Sequence, residues 1–455
     1  MHLLAPPLRQ NRKAASEFLP HPGKLTRWQL CIYTIRVRMF SFQATRLLKI
    51  SRCASAIDKL LSMSLAAFLC LFPDSALPQT KPASPSFAAL SKGAAEARDA
   101  DRLEEAVALY KRALALRPRW NDGWWSLGTI EYDQDHYARA AQDFEKLIAL
   151  DPANGTAHAM LGLCQFELRK DELALKNLLA AEQLGVIKDE QLRHVALYHL
   201  GVLQLRARKF GDAKETLDQL AKDRVRTKEL ITALGLAVLL VKPQDAPPEG
   251  TPGATVIQRA GEAEALLQTK DFEQAKKGYA ELTSEFPDYP NLHFAFGRLL
   301  LETNETDQAV EEFQRELKRD PQNVNSMLEI ASVRYQVDSQ DGSKYAEEAV
   351  KLAPRIPFAH YLLGVLRLDT GNSAGAVPEL EIAQKAFPKE SRIYFSLGNA
   401  YARVGRKAEA AKVRAEFSRL HAQEAKQKRP SLYSERPPGP SVGQLQTLDK
   451  ENPHP

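Results

Sequence analysis

Cysteine is scarce in this 455-residue chain, at four residues. Cys31, Cys53 and Cys70 lie near the N-terminus, which leaves Cys164 alone in the body. One thiol forms no intrachain disulfide, and no zinc-ligand spacing exists. Long apolar runs are missing as well. The longest N-terminal one, LLSMSLAAFLCLF at 60–72, has 13 residues and is too short for a comfortable membrane span. No H-E-x-x-H, G-x-S-x-G, phosphate-loop or dinucleotide glycine motif occurs. These absences argue against the common hydrolases, nucleotide enzymes and metalloenzymes, so no enzyme activity, catalytic residue, metal or cofactor is expected. Excess charge is also absent from the body. Residues 1–72 hold eleven Lys and Arg against Glu17 and Asp58, a net +9 of the chain's +5, so residues 73–455 carry −4. A mildly acidic body is a poor nucleic-acid binder.

The N-terminal segment, 1–78, has basic residues, then the short apolar run, then PDSALPQT. That order describes a secretory signal. Its lead-in is long, and Met39 or Met63 would shorten it to ordinary length. The expectation is export to the periplasm of a bacterium or beyond, with a cytoplasmic location as the alternative. Residues 79–86 read as a linker and 425–455, rich in proline and polar residues, as a disordered tail.

What is present is a period. Pro118, Pro152, Pro287, Pro321, Pro354 and Pro388 are 34, 135, 34, 33 and 34 residues apart. Gly128 and Gly162, Gly201 and Gly235, and Gly364 and Gly398 repeat the interval of 34 independently. A fixed period of this length marks stacked supersecondary units. Between the marks, residues 121–154 place Trp124 at position 4, Leu127 and Gly128 at 7 and 8, Ala140 at 20, Phe144 at 24 and Pro152 at 32. This pattern resembles the tetratricopeptide repeat. Glu131 and Leu147 depart from it at positions 11 and 27. Gly297, Ala309, Phe313 and Pro321 repeat it, as do Tyr394, Leu397, Gly398, Tyr401 and Ala410.

Ten units start near residues 87, 121, 155, 194, 228, 256, 290, 323, 357 and 391. In the fifth, KELITALGLAVLLV supplies a first helix, but four prolines in KPQDAPPEGTPG forbid the second. The expectation is a half-unit and a Pro-rich loop at 242–255 dividing two repeat blocks, 87–241 and 256–424. Glycine at position 8 and alanine at 20 let the two helices of a unit approach, and large residues at 4, 7, 11 and 24 fill the space around them. Stacking then hides the face that a lone hairpin leaves wet.

The resemblance implies an all-α fold, a right-handed α-solenoid of stacked helix-turn-helix units. It also implies that positions 2, 5, 9, 12 and 13 line an inner wall. Here they supply Trp125, Tyr132, Phe166, Tyr198, Leu205, Phe294, Tyr335, Phe358, Tyr361 and Phe395, with only scattered charge at Asp122, Arg206, Arg298, Asp369 and Arg403. The Lys and Asn of the clamp with which some family members hold chaperone C-termini are missing from the first block. The implied function is a non-catalytic protein–protein interaction scaffold that takes an apolar helix or extended peptide of other proteins in its groove. The alternative is an assembly or trafficking subunit of a bacterial envelope complex. His158, His293 and His360 share position 4 with Trp124 and read as packed histidines. Glu104–Glu105, Glu311–Glu312 and Glu347–Glu348 read as solvated carboxylates at the start of second helices.

Overall fold

The computed structural model describes residues 85–185 and 189–427, with side chains to residue 423. The apolar run at 60–72 and residues 428–455 lie outside them. The chain divides into two compact units, 1–92 and 93–455, and only 85–92 of the first are described. Among the described residues there are nineteen α-helices and no strand. They follow one another as hairpins: α1 (Phe87–Asp99) and α2 (Leu103–Leu116), α3 (Asn121–Asp133) and α4 (Tyr137–Leu150), α5 (Gly155–Glu167) and α6 (Asp171–Leu184), α7 (Glu190–Arg206) and α8 (Phe210–Lys222). A lone helix, α9 (Lys228–Val238), interrupts the series. It resumes with α10 (Pro252–Gln268) and α11 (Phe272–Glu285), α12 (Leu292–Glu302) and α13 (Thr306–Arg319), α14 (Val324–Arg334) and α15 (Ser339–Leu352), α16 (Pro357–Asp369) and α17 (Ser373–Ala386), and α18 (Ser391–Arg403) and α19 (Lys407–Gln427). The fold is an all-α solenoid. Its last helix reaches three residues past the expected start of the tail.

Five of the hairpins close on a glycine. A Cβ on Gly128 would come within 2.9 Å of the Phe144 ring, and one on Gly162, Gly201, Gly297 or Gly364 within 2.5–2.7 Å of the residue sixteen places on. Ala140, Ala174, Ala213, Ala309 and Ala376 are fully buried beside these contacts. The turn between the two helices is also repeated. Asp135, Arg169, Arg208, Lys270 and Asn304 all adopt a left-handed backbone. The next N–H then reaches back to the first helix, as in His136 N–H to Glu131 O at 2.8 Å and Lys170 N–H to Gln165 O at 2.9 Å. Such bonds satisfy the carbonyls a helix end leaves open.

The junction from one unit to the next carries a latch. Six residues after the inter-unit proline, a ring donor meets that proline's carbonyl. Trp124 Nε1 donates to Pro118 O at 2.8 Å, His158 Nε2 meets Pro152 O at 3.2 Å, and His293 Nε2 meets Pro287 O at 3.1 Å. His360 Nε2 meets Pro354 O at 2.9 Å, and the Tyr394 hydroxyl donates to Pro388 O at 3.0 Å. The three histidines are therefore structural, and each also contacts the second helix of its unit through Nδ1: Asn177 at 3.0 Å, Glu312 at 2.6 Å and Glu379 at 2.6 Å. Glu312 is consequently buried, against the solvated reading of its carboxylate pair.

The half-unit does not end one block and begin another. Its helix α9 packs on α10, which takes the place of the missing second helix and also starts its own hairpin with α11. Gly235 and Gly261 let the two backbones touch. A Cβ at Gly235 would lie 1.9 Å from Ile257 O, and one at Gly261 would lie 1.8 Å from Ile231 O. One apolar core runs from Leu197 to Ile330 through Leu234, Ile257 and Tyr279, straight across the 242–255 loop. The run LITALGLAVLLV is buried in that core.

Candidate functional site

The positions expected to line an inner wall sit on first helices, except Tyr335, which follows the end of α14. Trp125 on α3, Phe166 on α5 and Tyr198 on α7 are half-buried. They rest on the structure beneath them by edge contacts. The Trp125 ring lies 5.7 Å from Phe144, and Phe166 and Tyr198 approach His199 at 4.6 and 5.5 Å. The Arg206 guanidinium lies 4.7 Å above the Phe166 ring and donates to both oxygens of Asp171 at 3.2 Å. Burial lowers the His199 pKa, and its Nδ1 meets Val195 O at 2.8 Å, so the imidazole is a neutral floor for the two aromatics. Burial and the nearby Glu229 push the Tyr198 hydroxyl up to about 12, with Arg206 opposing.

Three expected groove residues are core residues instead. Leu205, Phe294 and Phe358 are 0%, 2% and 1% exposed, out of reach of a ligand. The 3-10 turn Pro243–Asp245 folds back onto α7, and Leu205 shares a core cluster with Leu239. Phe294 packs on Phe313 at 5.9 Å and lies beside Val238 and Leu240, which the half-unit brings over it. Phe358 stacks on Tyr361 at 6.3 Å inside the C-terminal core. Tyr361 and Tyr132 are nearly covered, the latter edge-on to Tyr137 at 5.3 Å. Tyr335 is half-buried, and Phe395 is 52% exposed beside Phe417. The wall is thus open over α3, α5 and α7 and interrupted beyond them.

The charges on the wall differ along the chain. From Lys214 on α8 through α18 they are engaged internally. Lys214 holds Glu264 at 2.7 Å and Glu302 at 3.2 Å, and Arg298 faces Glu329 at 3.4 Å. Ser339 donates to Asp369, Arg392 pairs with Glu390 at 2.7 Å, and Arg403 donates to Leu368 O at 2.6 Å. Over α3 to α9, Arg206 pairs with Asp171 at 3.2 Å, and the charges of Arg169 and Arg206 partly oppose the burial that raises the Glu167 pKa. Val195, Val202 and Thr129 on the same helices are half-buried as well. Among the described residues no group of three His, Cys, Asp or Glu is placed to hold a metal ion, and no helix is long and apolar enough to cross a membrane.

Three family models, each described as tetratricopeptide repeat, match the chain, at 126–185 and 361–416, at 266–329 and at 195–224. A search of curated proteins returns no match. Solved structures similar to the chain include MamA, at 21% identity, covering 36% of this chain and 96% of that one with a TM-score of 0.34. The Cut9–Hcn1 hetero-tetramer of the APC/C matches at 12% identity over 76% and 89% with a TM-score of 0.32. Yeast Tom70 matches at 13% identity over 73% and 85% with a TM-score of 0.30.

Proposed function

The chain is a tetratricopeptide-repeat protein, a class of protein-interaction scaffold, and from that premise we propose that its inner wall over α3, α5 and α7 holds an apolar segment of a partner protein. The observation that carries this reading is the row Trp125, Phe166 and Tyr198. Three large rings on three first helices keep part of their surface in water, although burial would stabilise each by a further ~1–2 kcal/mol. Rigid aromatics of this kind serve as anchors because they lose little conformational entropy on binding. The double variant Trp125→Ala/Tyr198→Ala tests the reading. Partners recovered with the wild-type chain from its source cells are expected to fall at least about tenfold in quantitative mass spectrometry. Unchanged recovery by a folded double variant would remove the groove from the account.

Export belongs to the same reading, supported by the basic lead-in and apolar run at 60–72. Sequencing the N-terminus of the native protein tests it: a start near Leu77 or Gln79 supports export, and an uncleaved chain in the cytosol rejects it. Recovery of one fixed complex at constant stoichiometry would favour an assembly subunit over a scaffold with several partners.

A further inference from the structure

The repeat array ends on a unit unlike those before it. Residues 385–427 hold ten Lys and Arg against Glu390, Glu409, Glu416 and Glu424, a net +6, whereas residues 85–384 hold 36 against 47 acids, a net −11. Arg392, Arg406 and Arg419 are paired, with Glu390 at 2.7 Å, Glu409 at 2.9 Å and Glu416 at 2.5 Å. Lys385 in the last turn of α17, Lys389 in the turn after it, and Lys407, Lys412 and Arg414 on α19 are exposed and form no ion pair among the described residues. Arg414 also stands where earlier hairpins put a core residue. Sixteen places after the hairpin glycine they carry Phe144, Leu178, Leu217, Phe313 or Leu380, each no more than 1% exposed. Arg414 occupies that place over Gly398, its Cγ 3.1 Å from where a Cβ would be, and it is exposed. An aromatic shares this face. Phe395, one helical turn before Gly398 on α18, is 52% exposed and lies 5.5 Å from Phe417, whose ring stacks on His421 at 5.4 Å.

A phenyl ring half in water, with unpaired cations on the same unit, matches the surface of an anionic bilayer, where cations meet lipid phosphates and a ring enters the headgroup layer. The charge of the preceding units selects the direction of approach. An anionic surface repels a net −11, so contact is favourable only at the terminal unit, and charges more than a Debye length away, about 8 Å at physiological salt, are largely screened. An acidic peptide or a nucleic acid drawn into the repeat groove would instead run along those acidic units. We propose that the terminal unit docks on an anionic membrane surface, with Lys385, Lys389, Lys407, Lys412 and Arg414 meeting lipid phosphates and Phe395 entering the headgroup layer. The contact is peripheral, and the proposal does not depend on the groove reading.

A photocrosslinker at the exposed ring tests it in the full chain. The variant Phe395→p-azidophenylalanine is irradiated with vesicles of phosphatidylglycerol and phosphatidylcholine in equal parts. Lipid adducts on the peptide that carries position 395 are then quantified by mass spectrometry. Adducts are expected with these vesicles, and at least about tenfold fewer with phosphatidylcholine alone or in about 1 M salt. Adding Lys412→Glu/Arg414→Glu, at two exposed positions, should lower the yield at least about tenfold and leave the circular-dichroism melt unchanged. Attachment through residues 1–78 would hold both variants on the vesicles equally, so it cannot produce that difference. No adducts, or equal yields with and without the charge reversal, would overturn the proposal. Adducts to a poly-glutamate peptide or a DNA duplex that the anionic vesicles fail to displace would also overturn it, and would give the surface to an acidic protein or a nucleic acid.

Discussion

Position 4 of the repeat shows how one side chain settles the state of another. Where it is histidine, its Nδ1 meets a polar side chain nineteen residues later, Asn177, Glu312 or Glu379. Where it is Trp124, the single indole N–H is spent on Pro118 O. Asp143, nineteen residues on, then meets no ring donor. Burial, with the neighbouring Glu131 charge, pushes its pKa up to about 7, and Lys111 and Arg139 only partly oppose this. A carboxyl raised in the folded state costs stability as pH climbs from about 4 to about 7, because the unfolded chain ionises first. A shift of this size would correspond to roughly 4 kcal/mol if fully buried, but Asp143 reaches water and about 1 kcal/mol is the appropriate scale. Asp143→Asn, the residue type that the next unit carries at this place, should therefore raise the denaturant midpoint at pH 8 and leave it unchanged near pH 4. A gain of equal size at both pH values would show that packing, not ionisation, is responsible.

At the scale of the helix, the half-unit is the informative element. Its glycines differ from the others in what they face. The Gly128 contact is with a side chain, Phe144, that can shift, whereas Gly261 faces the Ile231 carbonyl oxygen of the opposite backbone. Gly261→Ala should force α9 and α10 apart and cost about 1–3 kcal/mol or more. Gly278→Ala on α11, whose nearest neighbour is Ala263 Cβ at 3.6 Å, should instead gain up to about 1 kcal/mol from helix propensity. Urea titrations of the two variants should move in opposite directions, and a neutral Gly261→Ala would contradict the close crossing. The period, the hairpins and the absence of a second helix after α9 were all legible in the sequence, because proline and glycine act locally. The role of α10 was not, since it depends on which helix arrives at the vacant place. For the same reason Leu205 and Phe294 read as groove residues. Their register is that of the wall, but the segment 239–245 folds over one and the end of α9 over the other. Trp125, Phe166 and Tyr198 are half-buried; the first two have regular units on both sides, whereas the half-unit and the 243–245 turn pack against α7.

At the scale of the whole molecule, the helices before and after the half-unit are joined by a buried ionic network. Lys214 on α8 reaches Asp218 at 2.9 Å on its own helix, Glu264 on α10 at 2.7 Å and Glu302 on α12 at 3.2 Å. Tyr279 Oη and Asp218 Oδ1 are buried without a hydrogen-bond partner, and Arg298 and Glu329 face each other close by. Burial pulls the Lys214 pKa down, but the three carboxylates outweigh it and hold the ammonium well above its usual range. Burial pushes Asp218 up to about 7 although Lys214 opposes this. One cation thus compensates three acids that belong to helices on both sides of the half-unit. Lys214→Met keeps the apolar stem and removes the charge, and at pH 8 it should cost about 3–5 kcal/mol, the scale of an uncompensated buried charge. Lowering the pH through about 7 lets the orphaned carboxyls take up protons, so the cost should shrink toward pH 5. Hydrogen exchange locates the effect. With intrinsic rates corrected, amides of α8, α10 and α12 should open in the variant at pH 8 well before those of α16 to α19, because a solenoid transmits stability only from neighbour to neighbour. Uniform loosening of every unit, or a cost that does not change with pH, would mean that the network does not hold the two sides of the half-unit together.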